Sequence, residues 1–170
     1  KLADGKSVIV EAGLDQDFKI TPQQLEDAIT PKTKVLILCS PSNPTGSVYT
    51  KEELAGLAKV LEKYPNVIVL ADEIYEHINY IGKHESIAQF ESIRDRVVIV
   101  NGVSKGYAMT GWRLGWIAAP QWIASACNKL QGQYTSGPCS ITQKAAEAAY
   151  TGDQTCVAEM RAAFERRRNL

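Results

Sequence analysis

Several things are scarce in this sequence, and each scarcity closes off a class of function. An excess of charge of either sign is missing: 19 Lys and Arg balance 19 Asp and Glu, for a formal net charge of zero. No basic face is therefore on offer to nucleic acid or to an anionic membrane. Long apolar runs are missing too, since no stretch approaches the roughly 18–20 residues that a helical membrane span requires. The four cysteines, Cys39, Cys127, Cys139 and Cys156, have no C-x-x-C spacing, which argues against a zinc site and a disulfide scaffold. A reducing, cytoplasmic setting is the expectation. The two histidines, His77 and His84, lack metal-ligand spacing and read as surface or loop residues, so no metal site is expected. The opening KLADGKSVIVEAG does not have the layout of a signal peptide.

What is present is ordinary for a globular domain. Hydrophobic residues make up 45% and charged residues 22% of 170 residues, which disfavours disorder and fibrous repeats and fits one hydrophobic core. Val8 to Glu11 reads as a short strand. Thr21-Pro22-Gln23-Gln24 reads as a helix start, with Thr as cap, Pro in the first turn and Gln24 closing a capping box; the helix runs to about Ala28. Lys34 to Cys39 is a compact apolar run of the kind buried on both faces of a parallel sheet. After the turn-forming stretch Ser40 to Gly46, Thr50-Lys51-Glu52-Glu53 repeats the capping signature, and Leu54, Leu57, Ala58 and Leu61 follow at helical spacing. Val67–Ala71 and Val97–Val100 are further buried strands, and Leu114–Ala118 is one more. Trp122–Gln131, Ile141–Tyr150 and Thr155–Arg168 read as helices. Trp112, Trp116 and Trp122 read as core or interface aromatics, and Glu165 to Arg168 as a solvated helix end.

Three apolar strands hand over to polar residues at their C-terminal ends, the edge where open α/β sheets bind ligands. Asn43, Asp72, Tyr75, Lys105 and Arg113 all stand at or just past such ends. A lysine reachable from an apolar pocket can form an imine with an aldehyde. A carboxylate at Asp72 can keep a ring nitrogen protonated and so make a pyridine ring a better electron sink. If the chain stays extended past Asp72, Ile74 falls on the same side and presses against the ring face. Tyr75 and Asn43 suit a ring hydroxyl, while the planar fork of Arg113, with Ser104 beside it, suits a phosphate. The set describes pyridoxal 5'-phosphate.

Ser42-Asn-Pro-Thr-Gly46, Ala71-Asp-Glu-Ile-Tyr75 and the run from Asn101 to Arg113, with Lys105 and Arg113 eight positions apart, carry a resemblance. The chain resembles the middle of the large domain of a fold-type I pyridoxal-phosphate aminotransferase, of the class I family that includes bacterial aspartate aminotransferases. The resemblance implies a three-layer α/β/α sandwich around a mostly parallel sheet. It further implies that Lys105 is the Schiff-base lysine and proton carrier and that Asp72 pairs with the pyridinium nitrogen. Tyr75 and Asn43 would bond the phenolic oxygen, and Ser104 and Arg113 the phosphate; Asn43 would also lie near the substrate carboxylate, and Ile74 on the ring. The implied reaction moves an amino group between an amino acid, aspartate or similar, and a 2-oxo acid, with ping-pong kinetics.

The family's glycine-containing phosphate loop, its ring-stacking aromatic and the arginine that grips the substrate's α-carboxylate have no counterpart in these 170 residues. The expectation is therefore a central piece of the cofactor-binding domain, incomplete and inactive by itself, from a parent that is a homodimer, with Ser136-Gly137-Pro138 near the subunit boundary. The same scaffold also supports a C–S β-lyase or an aminotransferase-like regulatory domain. Product analysis separates the first from a transaminase, and an upstream DNA-binding segment marks the second.

Overall fold

The computed structural model describes residues 3–170. Four strands form one sheet in the order β1-β2-β3-β4: β1 (Val35–Cys39), β2 (Ile68–Asp72), β3 (Val97–Gly102) and β4 (Gly115–Ala118). The first three run parallel and β4 runs antiparallel to β3. This is the mostly parallel α/β sheet expected from the alternation of apolar runs and helical patterns. Register aligns Cys39 with Asp72 and Asp72 with Val100, so β1 and β2 end level and β3 runs two residues further, to Gly102.

The helices begin where the sequence provides caps. At α1 (Pro22–Ala28), Thr21 Oγ1 accepts from Gln24 N–H at 3.2 Å while Gln24 Oε1 accepts from Thr21 N–H at 2.8 Å. At α2 (Lys51–Glu62), Thr50 and Glu53 make the same reciprocal pair, at 3.2 and 2.7 Å. Each box satisfies two backbone donors that a helix start otherwise leaves orphaned. The buried stripe of α2, Leu54, Leu57, Ala58 and Leu61, packs with Leu38, Val69, Ala71 and Val97 of the sheet and with Ile87 and Ile93 in one apolar core. Ile93 lies on α3 (Glu91–Arg94), a single turn that the sequence pattern does not announce. Burying a leucine such as Leu57 contributes about 1.5–3 kcal/mol. The remaining helices, α4 (Gln121–Tyr134), α5 (Ser140–Thr151) and α6 (Thr155–Arg168), fall within a few residues of their expected positions.

Three expectations need correction. Val8 to Glu11 is irregular, with Val8 and Ile9 exposed: β-propensity makes a strand only where a neighbour accepts its backbone hydrogen bonds. β1 is buried on one face only: Leu38, 7% exposed, joins the core against α2, whereas Ile37 on the opposite face is 71% exposed because nothing among the described residues packs over it. Of the core or interface positions expected for Trp112, Trp116 and Trp122, the core reading falls, since all three are exposed on this chain, although Trp116 Nε1 donates to Tyr150 Oη at 2.7 Å. The four cysteines are free thiols, and no helix among the described residues is long and apolar enough to cross a membrane.

Candidate active site

The parallel strands β1, β2 and β3 bring the loops after their C-terminal ends to one edge. The loop after β1 is closed by Ser42 N–H donating to Ser47 O and Gly46 N–H donating to Ser42 O, each at 2.9 Å. Gly46 has φ +75°, a conformation glycine adopts without steric cost. This loop presents Asn43, exposed, and its Nδ2 donates to Tyr75 Oη at 3.2 Å. Two strand-end segments separated by 32 positions in sequence thus meet through the two side chains expected to share a ring hydroxyl.

The chain beyond Asp72 does not stay extended, which corrects the expected route for Ile74. Glu73 N–H makes one more ladder bond, to Val100 O at 2.9 Å, and then the backbone turns, with Glu76 N–H bonded to Glu73 O and Ile78 N–H to Tyr75 O. Asp72 Oδ1 accepts from Ile74 N–H at 3.2 Å, the Asx-type bond by which a strand-end aspartate fixes a turn. Asp72 therefore has a local structural role as well as a half-buried carboxylate at the site edge. Ile74 still comes to the β3 end by this turn, since its Cδ1 lies 3.5 Å from where a side chain on Gly102 would begin.

Lys105 follows β3 in the turn 103–108, where Ala108 N–H donates to Lys105 O at 3.2 Å. Its side chain is exposed and its Nζ sits 5.7 Å from the centroid of the Tyr75 ring, within range of a cation–π contact. Asn43 and Lys105 are thereby each joined to Tyr75, and Asp72 lies three residues from Tyr75 on the same edge. Arg113 is exposed and donates from Nη1 to Thr110 O at 2.8 Å. No hydrogen bond joins Ser104 to Arg113, whose Nη1 is used on Thr110 O, so the two residues expected to meet a phosphate are not linked directly. Beside Asp72 in the register, the Cys39 thiol is held above its usual pKa by burial.

Further polar groups around the site were not legible in the sequence. Asn101, 3% exposed, donates from Nδ2 to Glu76 Oε1 at 2.8 Å. The same oxygen lies 3.5 Å from His77 Nε2. Buried Glu73 accepts from Ser86 Oγ at 2.6 Å and lies 2.9 Å from His84 Nε2. Both histidines lie in loops, as expected, but neither side chain is free: His77 packs edge-on against Tyr107 with centroids 5.4 Å apart, and His84 is mostly buried against Glu73. Adjacent Glu76 and His77 give no spacing signal, and the Glu73–His84 pair is set by loop folding, not by helical or strand periodicity.

The chain matches the family described as aminotransferase class I and II over residues 1–170. It is 52% identical to the aspartate aminotransferase of Geobacillus stearothermophilus, covering 100% of this chain and 44% of that protein. It is 48% identical to an aspartate/prephenate aminotransferase of Nitrosomonas europaea, over 98% of this chain and 42% of that one. The crystal structure of an aspartate aminotransferase from Rhizobium meliloti superposes with a TM-score of 0.96 at 40% identity, covering 99% of this chain and 42% of the other. The chain thus spans well under half the length of these relatives.

Proposed function

This chain belongs to the aminotransferase class I and II family, and on that premise we propose that the protein carrying it moves an amino group between an amino acid, aspartate or a close analogue, and a 2-oxo acid. We propose further that residues 1–170 are a central portion of its cofactor-binding large domain. The rest of the active site then comes from other segments and from a partner subunit of a cytoplasmic homodimer. The observation that supports this reading best is the meeting of Asn43, Tyr75 and Lys105 at the strand edge that Asp72 closes.

The residues present fit pyridoxal 5'-phosphate by their donor chemistry. Tyr75 Oη and Asn43 Nδ2 already share a hydrogen bond at 3.2 Å, so a phenolic oxygen can enter between existing donors instead of recruiting distant ones. Lys105 Nζ is exposed at the same place, accessible to an aldehyde. The Asp72 carboxylate uses Oδ1 on the Ile74 amide and keeps Oδ2 for a protonated ring nitrogen. When bound, the cofactor supplies a heterocycle that accepts the electron pair left at the substrate's α-carbon. Asp72 holds a proton at the ring nitrogen and so keeps that heterocycle electron-poor. With the cofactor bound, Lys105 Nζ would be the base that takes the proton from the substrate's α-carbon. Tyr75 would help orient the ring through its hydroxyl, Ser104 and Arg113 would offer donors to the phosphate, Asn43 would offer its amide to the substrate carboxylate, and Ile74 would offer an apolar side chain to the ring.

The test uses the protein carrying this chain with aspartate as donor and 2-oxoglutarate as acceptor, followed by assay of both products. The expected result is stoichiometric oxaloacetate and glutamate with ping-pong kinetics, abolished by Lys105→Ala. Pyruvate and a thiol from a cysteine conjugate, without transfer, would overturn the transaminase reading. Prephenate belongs in the acceptor panel because a relative's name includes it.

A further inference from the structure

We propose that Glu76 is a positioning residue that sets the distance between Tyr75 and Lys105, an inference that rests on the site reading above. The two residues reach the site from different strands, and nothing in either loop alone fixes their separation. Glu76 is the residue after Tyr75, and its Oε1 accepts from Asn101 Nδ2 at 2.8 Å. Asn101 is in β3, four residues before Lys105, and is 3% exposed. Its other amide atom, Oδ1, accepts from Gly102 N–H at 2.7 Å, so the side chain is held at both ends. A buried amide satisfied in this way has one orientation, because turning it would leave both partners unpaired.

A second contact ties the same two loops. Glu76 Oε1 lies 3.5 Å from His77 Nε2, and the His77 ring packs on Gly106, the residue after Lys105. A side chain on Gly106 would come within 2.6 Å of His77 Cδ2 and 3.1 Å of His77 Cβ. The far edge of the imidazole stacks against Tyr107, which in turn meets Tyr150 of α5 at a centroid distance of 5.2 Å. The Glu76 carboxylate therefore anchors the turn that carries Tyr75 to the buried end of β3, while the adjacent His77 packs the same turn onto the segment after Lys105. Glu76 needs no contact with a ligand to do this.

The experiment uses the full-length protein loaded with pyridoxal phosphate. It reads the induced circular dichroism of the bound cofactor, which reports its orientation, together with kcat and KM. Glu76→Leu removes the acceptor and Asn101→Asp replaces the donor by a second carboxylate. Each is expected to diminish the induced signal and to lower kcat by about tenfold or more, with KM for the amino donor nearly constant. Glu76→Gln keeps a carbonyl facing Asn101 and retains most of both. The double variant Glu76→Gln/Asn101→Asp puts the donor on 76 and the acceptor on 101, and its signal recovers relative to Asn101→Asp alone. Should Glu76→Leu fail to fold, the Asn101→Asp series decides by the same readouts. A wild-type signal and wild-type kcat in either disrupting variant, or no recovery in the double variant, overturns the inference. A wild-type protein with no Lys105-dependent cofactor signal overturns the function reading instead.

Discussion

Replacing Tyr75 by Phe removes one hydroxyl and keeps the ring, so it separates the two contacts that Tyr75 makes. The hydroxyl accepts from Asn43 Nδ2 at 3.2 Å, between partners that solvent reaches. Water replaces such a bond readily, so the cost to folding stability is below about 1 kcal/mol. The cofactor is a different case, because its phenolic oxygen loses a donor that water does not replace as well in the occupied site. A lost neutral hydrogen bond of about 0.5–1.5 kcal/mol corresponds to roughly a 2- to 12-fold weaker Kd. Tyr75→Ala also removes the ring that lies 5.7 Å from Lys105 Nζ. That contact belongs to the unliganded protein, because an imine to the cofactor removes the ammonium charge, so its loss adds nothing to the weakening and Tyr75→Ala is expected in the same roughly 2- to 12-fold range as Tyr75→Phe. The assay is titration of the full-length apoprotein with pyridoxal phosphate beside urea unfolding of the same samples. A Phe variant with unchanged Kd, or one that loses more than about 2 kcal/mol of stability, would refute this division between binding and folding.

Leu57→Ala in α2 empties a fully buried position and is expected to cost about 2–5 kcal/mol in urea unfolding while leaving cofactor Kd unchanged, because the core is separate from the site. Lys19→Met tests the anchor of the segment that precedes α1, where Lys19 Nζ meets Glu53 at 2.8 Å and Asp17 at 3.2 Å. Burial pulls the Lys19 pKa down, but the hydrogen bonds from Glu53 and Asp17 outweigh it and leave it raised. The stabilisation is then fully present below the ordinary value of 10.5 and is lost as pH rises through the raised one. Wild-type protein should therefore lose its advantage over Lys19→Met only in alkaline solution, as followed by Tm against pH; an advantage lost on acidification only as far as pH 6 would contradict the sign.

Elements whose cause is local were legible in the sequence. The caps at Thr21 and Thr50 and the 3.6-residue stripe of α2 each depend on neighbours within a few positions, and each appears as expected. The strands β2 and β3 were legible because both are flanked by neighbouring strands and keep their apolar runs. The strand expected at Val8 to Glu11 and the double burial expected of β1 depended on what lies beside them, which the local pattern does not encode. In the site, Asn43, Tyr75 and Lys105 could be grouped because strand ends share an edge. Ile74 could not be routed correctly, since the Asx bond of Asp72 turns the chain where an alternation argument assumes extension. Glu76, Asn101 and His77 were missed because their partnership arises from two loops meeting, and no spacing in the chain announces it.

The central claim is that Lys105 is the attachment point for the cofactor. Borohydride reduction of the full-length protein saturated with pyridoxal phosphate, followed by peptide mass mapping, tests it directly. The pyridoxyl mass is expected on the peptide containing Lys105 at full occupancy, and is expected to be lost in Lys105→Ala. Stoichiometric label on a different lysine, or none on Lys105, would contradict it.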